Sequence, residues 1–307
     1  MPHHPQAGLG LIYGVLAYSC WGLIPLFFKL LAHLPPVFVL GHRILWSFVF
    51  FSLLVAARRE LGEIRPALRS RRTMIMLLIS AILIAINWGV FIYAITTMRV
   101  LDSSLGYFIA PLVVVGLGVI ALRERLRAWQ VVALAFAAGG VTVMTIAHGS
   151  LPWIALVVAL TFGGYGLFRK TVRVSPVVGL CIETALLVPV GIALVTLTPG
   201  TPAMDWTGAG SSGWVLLLSG PVTAIPLLLF TGAARRLRLS TIGLLQYIGP
   251  MGQFALAVFY YHEPFGTPKL AGFALIWTAL LVYSIDSLRA YRQALRPPPR
   301  PPETEPL

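Results

Sequence analysis

The sequence YFIAP at residues 107–111 recurs as QYIGP at residues 246–250, 139 positions further along the chain. Each copy lies inside an apolar run long enough to cross a bilayer core, which takes about 20 residues. A proline inside a helix frees the carbonyl four residues earlier, and an unpaired carbonyl is costly in lipid. Both segments are therefore predicted to face a protein-lined, partly wet interior. Interrupted helices at matching positions of two halves are typical of a transporter's binding site, and Pro111 and Pro250 are the predicted breaks.

The composition excludes a soluble protein. Mean hydropathy is +0.86, and 58% of the 307 residues are apolar while only 11% are charged, as in integral membrane proteins. A net charge of +13 also occurs in nucleic-acid-binding proteins, but here the arginines lie in short loops between apolar runs. That distribution reports membrane orientation. We therefore expect the lipid bilayer as a partner and no nucleic acid.

Ten apolar runs have the length of a membrane span. The chain is therefore predicted to be an all-α integral membrane protein with ten transmembrane helices. The predicted spans are Gly8–Phe28, Val37–Ala57, Thr73–Thr96, Leu101–Leu122, Trp129–Ala147, Leu151–Phe168, Pro176–Thr198, Gly213–Ala234, Leu239–Tyr261 and Leu270–Leu288.

The basic residues predict how these spans are oriented. The loops after the even-numbered spans and the segment after the tenth contain nineteen arginines and lysines, against three in the loops on the opposite side. By the positive-inside rule the basic loops lie in the cytoplasm. Both termini are therefore predicted to be cytoplasmic.

The two halves of the chain repeat each other. Pro36 and Arg43 are matched 140 positions later by Pro176 and Glu183. Since five spans is an odd number, the second copy enters the membrane upside down, which makes an inverted repeat. The predicted units are a first five-helix repeat at residues 1–147, a second, inverted five-helix repeat at residues 148–288 and a disordered tail rich in Pro and Arg at residues 289–307.

Several motifs resemble the RarD-type branch of the EamA family, within the drug/metabolite transporter superfamily. They are residues 104–112 and 239–250 around the two prolines, HRILWS at 42–47, NWG at 87–89 and IET at 182–184. The resemblance implies a carrier of the bacterial inner membrane. Its central cavity would be lined by spans 1–4 and 6–9, with spans 5 and 10 at the periphery. Ala110 departs from the pattern, because that branch has Asn there, and this bears on substrate contact.

Arg43 is the most informative single residue, because a charge at the centre of a span costs about 2.5–3.5 kcal/mol to insert. Trp46, Ser47 and Phe50 follow it at helical spacing and give one polar-aromatic face. One interpretation is that the guanidinium recognises a carboxylate or similar anion of the substrate. The other is structural, either an ion pair with Glu183 or bonds to helix carbonyls.

Glu183 is the only acid well inside a predicted span. It is interpreted as a counter-ion for Arg43, a proton-coupling site or a neutral buried acid. At about 1.5 Å per residue in a core about 30 Å thick, the Cα atoms of the two residues differ in depth by roughly 10 Å. Long side chains and helix tilt bridge part of that gap, so the sequence does not decide whether the two residues pair.

Other polar and aromatic residues of the spans are candidates for lining the cavity, where rings give apolar bulk and amides orient a solute. Each is equally suited to joining helices. Glu124 and Glu263, ahead of the fifth and tenth helices, are predicted to cap helix ends. The cavity candidates beside Arg43 and Glu183 are His42, Trp46, Asn87, Trp88, Tyr107, Gln246 and Tyr247.

The predicted function is a secondary transporter that moves a small metabolite or drug-like solute outward by alternating access. The alternatives are a membrane-embedded enzyme and a scaffold without transport activity. No Cys/His cluster has metal-ligand spacing, and neither a cofactor nor a metal is expected. Assembly into a homodimer is left open by the sequence.

Overall fold

The computed structural model describes residues 7–122, 127–172, 174–199, 212–234, 236–237 and 245–294. This part of the chain is helical and contains no β-strand. A π-helical turn at Leu256–Tyr260 directly follows the α-helix Ile248–Ala255. The helices are α1 (Ala7–Lys29), α2 (Pro36–Ala57), α3 (Leu61–Arg69), α4 (Arg71–Thr96), α5 (Val100–Leu122), α6 (Ala128–His148), α7 (Trp153–Thr171), α8 (Pro176–Thr196), α9 (Ser212–Ala234), α10 (Ile248–Ala255) and α11 (Thr267–Ala294).

Local sequence signals set several helix ends. Pro36 and Pro176 open α2 and α8, where a missing N–H costs nothing because the first turn has no intrahelical acceptor for it. The Ser175 hydroxyl accepts a hydrogen bond from the Val178 N–H at 3.3 Å and caps α8. Gly149 ends α6 at φ 67°, a left-handed conformation that glycine adopts without steric cost.

Seven helices of the described residues are long and apolar enough to cross a membrane: α1, α2, α4, α6, α8, α9 and α11. Shorter apolar helical stretches at Val100–Val113, Trp153–Arg169 and Ile248–Tyr260 lie inside the predicted fourth, sixth and ninth spans. The chain is therefore a multi-pass helical membrane protein. The count of ten spans stays a prediction.

The two copies of the proline pattern differ in structure. The break expected at Pro111 is absent, because α5 continues through this residue as one helix. A single proline removes one backbone bond, and neighbouring helices can satisfy the freed carbonyl in a membrane protein. In the second copy the chain turns at Gln246 and Tyr247, and Pro250 then lies in the first turn of α10. The break is therefore present in one half only among the described residues.

Glycines allow two close helix crossings between the halves. A Cβ on Gly41 of α2 would lie 2.9 Å from the Gly191 carbonyl oxygen of α8, and one on Gly252 of α10 would lie 3.0 Å from the Gly22 Cα of α1. Small residues at such crossings let helix backbones approach in the membrane. Helices α6 and α11 pack chiefly against each other.

Glu263 caps a helix other than the predicted one. Its carboxylate accepts hydrogen bonds from the Val100 N–H at 2.7 Å and the Leu101 N–H at 2.8 Å, at the start of α5. It does not cap α11, the helix that follows it. A carboxylate satisfies the free N–H groups of any helix start that packing brings to it, whatever the sequence separation. Glu124, the other predicted cap, lies outside the described residues.

Candidate functional site

Arg43 lies on α2 and is 4% exposed. Its guanidinium carbon is 4.8 Å from the centre of the Phe28 ring of α1 and 4.3 Å from that of Trp88 of α4. Its Nε donates a hydrogen bond of 3.2 Å to the Thr223 hydroxyl of α9. Among the described residues no acid forms a salt bridge with Arg43. Two aromatic rings and one hydroxyl therefore surround a buried cation.

Four of the eight buried polar side-chain atoms that have no hydrogen-bond partner among the described residues belong to α2, at and beside Arg43. In the described part of the chain its Nη1, both ring nitrogens of His42 and the Ser47 hydroxyl are buried and have no hydrogen-bond partner. The His42 ring instead packs edge to face on Phe38, with the ring centres 4.6 Å apart. Buried polar groups are nearly always hydrogen-bonded in proteins. The unpaired donors and acceptors of these neighbouring α2 residues could therefore hydrogen-bond to a polar ligand.

Trp88 and Trp46 have different positions relative to this group. Trp88 is buried against the Arg43 guanidinium, an arrangement in which the ring stabilises the cation. Trp46 is half-buried on α2, and Gly220 of α9 packs against its backbone carbonyl. Only Trp88 is brought onto Arg43 by the contacts described.

Asn87 and Tyr107 form a second polar group whose bonds are used within the protein. The Asn87 amide nitrogen donates to the Val158 carbonyl and to the Thr161 hydroxyl, both at 3.1 Å. The Tyr107 hydroxyl donates to the Asn87 amide oxygen at 3.0 Å. Helices α4, α5 and α7 are thereby joined. Both residues thus join helices through hydrogen bonds. Their predicted contact with a solute stays a prediction.

Gln246 and Tyr247 are half-buried in the turn before α10. The Tyr247 side chain has hydrogen-bonding contacts with Ser284 of α11 and with Gln246. Further along α10, the Gln253 side-chain nitrogen donates to the Trp21 carbonyl of α1 at 3.1 Å. The described contacts of Tyr247 therefore lead toward α11 and not toward Arg43.

Glu183 is fully buried on α8 and has three donors around it. The Ser80 hydroxyl of α4 donates to Oε1 at 2.5 Å, and the Tyr165 hydroxyl of α7 donates to Oε2 at 3.5 Å. Arg169 of α7 forms the salt bridge, with Nη1 3.5 Å from Oε1. The counter-ion of Glu183 is thus Arg169, which the sequence had assigned to a cytoplasmic loop, and not Arg43.

Gly179 makes the Arg169 contact feasible. It precedes Glu183 by one helical turn on α8, and any Cβ at this position would overlap the Arg169 guanidinium. The guanidinium also donates to the Pro176 carbonyl at 3.4 Å. Residues four apart lie on the same face of a helix. Gly179, four residues before Glu183, was therefore the available sequence signal that a long side chain has room to reach the acid on this face.

No group of three or more His, Cys, Asp or Glu side chains within the described ranges is arranged to hold a metal ion.

Comparison with known proteins gives the family. The EamA-like transporter family matches residues 8–146. An uncharacterized transporter of Vibrio cholerae is 40% identical over 296 residues, which cover 96% of this chain and 98% of that protein. Protein RarD of Escherichia coli is 41% identical over 289 residues, covering 94% and 98%.

A solved crystal structure shares the fold, with a TM-score of 0.58 over 92% of this chain and 99% of the other, at 17% identity. Identity near 40% over almost the whole of both chains is far closer than a shared fold requires. The resemblance found in the motifs is thereby confirmed: this chain belongs to the EamA-like transporter family, as a RarD-type member.

Proposed function

We propose that this protein is a secondary transporter whose solute carries an anionic group that binds Arg43. The family and the names of the relatives support a membrane transporter. The observation that carries the finer proposal is the buried Arg43 guanidinium, with its unpaired Nη1 and no acid partner among the described residues. No Walker A sequence occurs in the chain, which supports transport without ATP hydrolysis.

An anion is the ligand that best fits this surrounding. A cation buried without a counter-charge is costly, and the cost falls when an anion enters. Arginine presents its donors as a planar fork that matches a carboxylate in two parallel bonds. Thr223 already accepts from Nε, so Nη1, which has no hydrogen-bond partner among the described residues, is a donor left for a solute. His42 and Ser47 add hydrogen-bonding capacity beside them.

The helices that meet at Arg43 support a site between the two halves. Phe28 and Trp88 belong to α1 and α4 of the first half, while Thr223 belongs to α9 of the second. Carriers built from inverted repeats bind their solute where the repeats meet, near the bilayer midplane. The proposed mechanism is alternating access, in which the halves move relative to each other around this site.

The second half contains a matching arrangement, which supports the inverted repeat. Arg43 of α2 contacts Thr223 of α9, and Glu183 of α8 contacts Ser80 of α4. In each half, the charged residue of one helix thus contacts a hydroxyl on the third membrane helix of the other half. We propose on this basis an inverted repeat of ten spans. Cytoplasmic termini are proposed from the distribution of the basic residues, and outward transport across the bacterial inner membrane from the similarity to RarD proteins.

Counterflow in proteoliposomes tests the proposal. We expect labelled small carboxylates to exchange across the membrane, while their neutral amide analogues and simple amines do not. Arg43→Lys should lower this exchange by roughly tenfold, because the charge remains but the planar fork is lost. Arg43→Ala should abolish exchange of the carboxylates.

Arg99→Lys is the matched control, because Arg99 pairs with Asp102 at the edge of α5, away from Arg43. It should leave exchange unchanged. Carboxylate exchange that is as fast in Arg43→Ala as in the wild type would overturn anion recognition by Arg43. Exchange confined to amines would overturn the proposed solute class.

A further inference from the structure

A cavity lies apart from Arg43, next to the loop segment in which the arginines are most frequent. It has a volume of about 400 Å³ and is enclosed by α2, α3, α4 and α8. Val55 near the end of α2, Leu68 of α3, Met74 near the start of α4 and Leu186 of α8 contribute to its walls. Helix α3 connects the end of α2 to the start of α4 at this cavity, and α8 borders it from Cys181 to Leu186.

The lining of this cavity suits a hydrocarbon chain. Only Ser52 and Cys181 bring a hydroxyl or thiol to the wall, and these lie 3.6 Å apart, within hydrogen-bonding distance of each other. No other side chain of the lining carries an N–H or O–H group. Solute sites use a few well-placed polar groups to orient a ligand, and this cavity offers none beyond that pair.

Helix α3 has two chemically different sides. Leu61, Ile64 and Leu68 recur at helical spacing and line the cavity, although Leu61 and Leu68 are 59% and 52% exposed. Arg65 and Arg69 follow Leu61 by four and eight residues, which puts them along the edge of the apolar face. Both arginines are exposed. Helices with this pattern lie in the interface of a bilayer, with the apolar face toward the acyl chains.

The charge around the cavity is strongly positive. Residues 58–72 contain six arginines and two glutamates, and every one of the arginines is exposed. One of the acids, Glu60, accepts a hydrogen bond of 2.8 Å from Ser175. Clusters of four or more basic residues on an amphipathic helix next to a span attract anionic lipid headgroups.

We infer that this cavity binds an anionic phospholipid, with an acyl chain between α2, α3 and α8 and the headgroup phosphate on Arg65 and Arg69. An apolar cavity and a cationic rim, side by side at a bilayer interface, match the two parts of such a lipid. A zwitterionic phospholipid matches the cavity but lacks the net charge that the rim favours.

Lipid titration followed by native mass spectrometry tests this inference. The full-length protein in detergent is titrated with phosphatidylglycerol, with phosphatidylcholine of the same acyl chains, and with glycerol phosphate as a headgroup without chains. We expect phosphatidylglycerol to bind roughly tenfold more tightly than phosphatidylcholine, and glycerol phosphate not to bind at all.

Two variants separate the chain from the headgroup. Ala185→Phe fills the cavity from α8 and should remove most of the bound phosphatidylglycerol. Arg65→Gln with Arg69→Gln should reduce phosphatidylglycerol to the affinity of phosphatidylcholine and leave folding intact, since both arginines are exposed. The matched controls are Ala193→Phe, a half-buried alanine of α8 outside the cavity, and Arg289→Gln, an exposed arginine of α11.

Each outcome decides the inference. The inference is supported if Ala185→Phe loses most of the bound phosphatidylglycerol, the arginine variant binds it no more tightly than phosphatidylcholine, and both controls are unchanged. Equal binding of the two phospholipids by the wild type would overturn the headgroup assignment. Binding that survives Ala185→Phe but is lost in the arginine variant would show attraction to the protein surface and no site in the cavity. A thermal melt of each variant identifies any that do not fold. If Ala185→Phe does not fold, the comparison of phosphatidylglycerol with glycerol phosphate in the wild type decides whether the acyl chains are needed, and equal binding of the two would overturn the cavity site.

Discussion

Arg43 and Glu183 are buried charged residues 140 positions apart, one in each half of the chain, yet their surroundings differ. Glu183 is fully buried and receives the hydroxyls of Ser80 and Tyr165 as well as the Arg169 guanidinium. Arg43 is nearly as buried but has one hydrogen bond to a hydroxyl, two aromatic contacts and an unpaired Nη1. One charge is thus satisfied by the protein and the other is not. The difference indicates that Glu183 contributes to stability and that Arg43 has donors available for a ligand.

The largest expected effect is that of Glu183→Ala on stability. Removing the acid leaves the Arg169 cation without its counter-ion in the membrane, which should cost about 3–5 kcal/mol of unfolding free energy. Arg43→Ala leaves no acid unpaired and should cost less than half as much. Reversible unfolding in mixed micelles measures both, with the exposed Glu63→Ala as control. Equal losses for Glu183→Ala and Arg43→Ala would contradict the comparison.

Gly179→Ala should disturb the same pair from a neighbouring position. The added methyl group displaces the Arg169 guanidinium, and overpacking of this kind costs about 1–3 kcal/mol. Gly166→Ala on α7 is the control, because nothing lies within 4 Å of its Cβ position. Because alanine is favoured over glycine in an exposed helix, the control substitution should raise the unfolding free energy by about 0.5–1 kcal/mol. A stabilising effect of Gly179→Ala would show that Arg169 is free to leave Glu183 without loss.

Glu263→Gln tests a third charge that the protein satisfies, outside the membrane spans. The amide replaces one of two carboxylate oxygens that cap α5, so unfolding free energy should fall by about 0.5–2 kcal/mol. Burial raises the pKa of Glu263 above its ordinary value and outweighs the two backbone bonds, which lower it. The folded protein therefore holds this proton more tightly than the unfolded chain does.

The sign of the pH effect follows from that raised pKa. The contribution of Glu263 to stability should be fully present below its unfolded pKa and should be lost as pH rises through the folded pKa. The difference in unfolding free energy between the wild type and Glu263→Gln, measured from pH 4 to pH 7, should therefore shrink with rising pH. A difference that grows over this range would show that the cap bonds outweigh burial.

The smallest expected effect is the coupling between Arg43 and Glu183. Because Arg169 is the counter-ion of Glu183, the stability changes of Arg43→Ala and Glu183→Gln should add to within about 0.5 kcal/mol. Arg169→Ala with Glu183→Gln is the positive control, in which the second change should recover part of the first loss. Recovery of Arg43→Ala by Glu183→Gln would mean that the two intramembrane charges interact after all.

Apolar run length predicted the membrane helices well, because a span must satisfy its backbone within itself. The predicted Val37–Ala57 differs by one residue at its start from α2, Pro36–Ala57. The predicted spans leave α3 in a loop between the second and third, because the helix is short and its few apolar residues alternate with arginines. Its three-residue and four-residue spacing was the available signal for a helix at the interface.

The site was predicted less completely than the helices. Depth and charge made Arg43 and Glu183 candidates, and the structure shows both to be buried. The partner of Glu183, however, depends on how α7 packs against α8 and on the space at Gly179. Side-chain pairing across helices of distant sequence is set by tertiary packing, which run lengths do not encode. The difference between Pro111 and Pro250 arises in the same way, because two similar local patterns, YFIAP and QYIGP, lie in different helix surroundings.

The cap on α5 has a consequence for biosynthesis. The N–H groups of Val100 and Leu101 bond to Glu263, the Ser104 hydroxyl donates to the Pro250 carbonyl at 2.9 Å, and Asp102 lies 3.9 Å from Lys269. Every one of these partners is synthesised about 150 residues after the helix it completes. Until the second half is synthesised, the first turn of α5 lacks these hydrogen-bond and ion-pair partners. The start of α5 is therefore completed only when the residues around α10 and the start of α11 have been made.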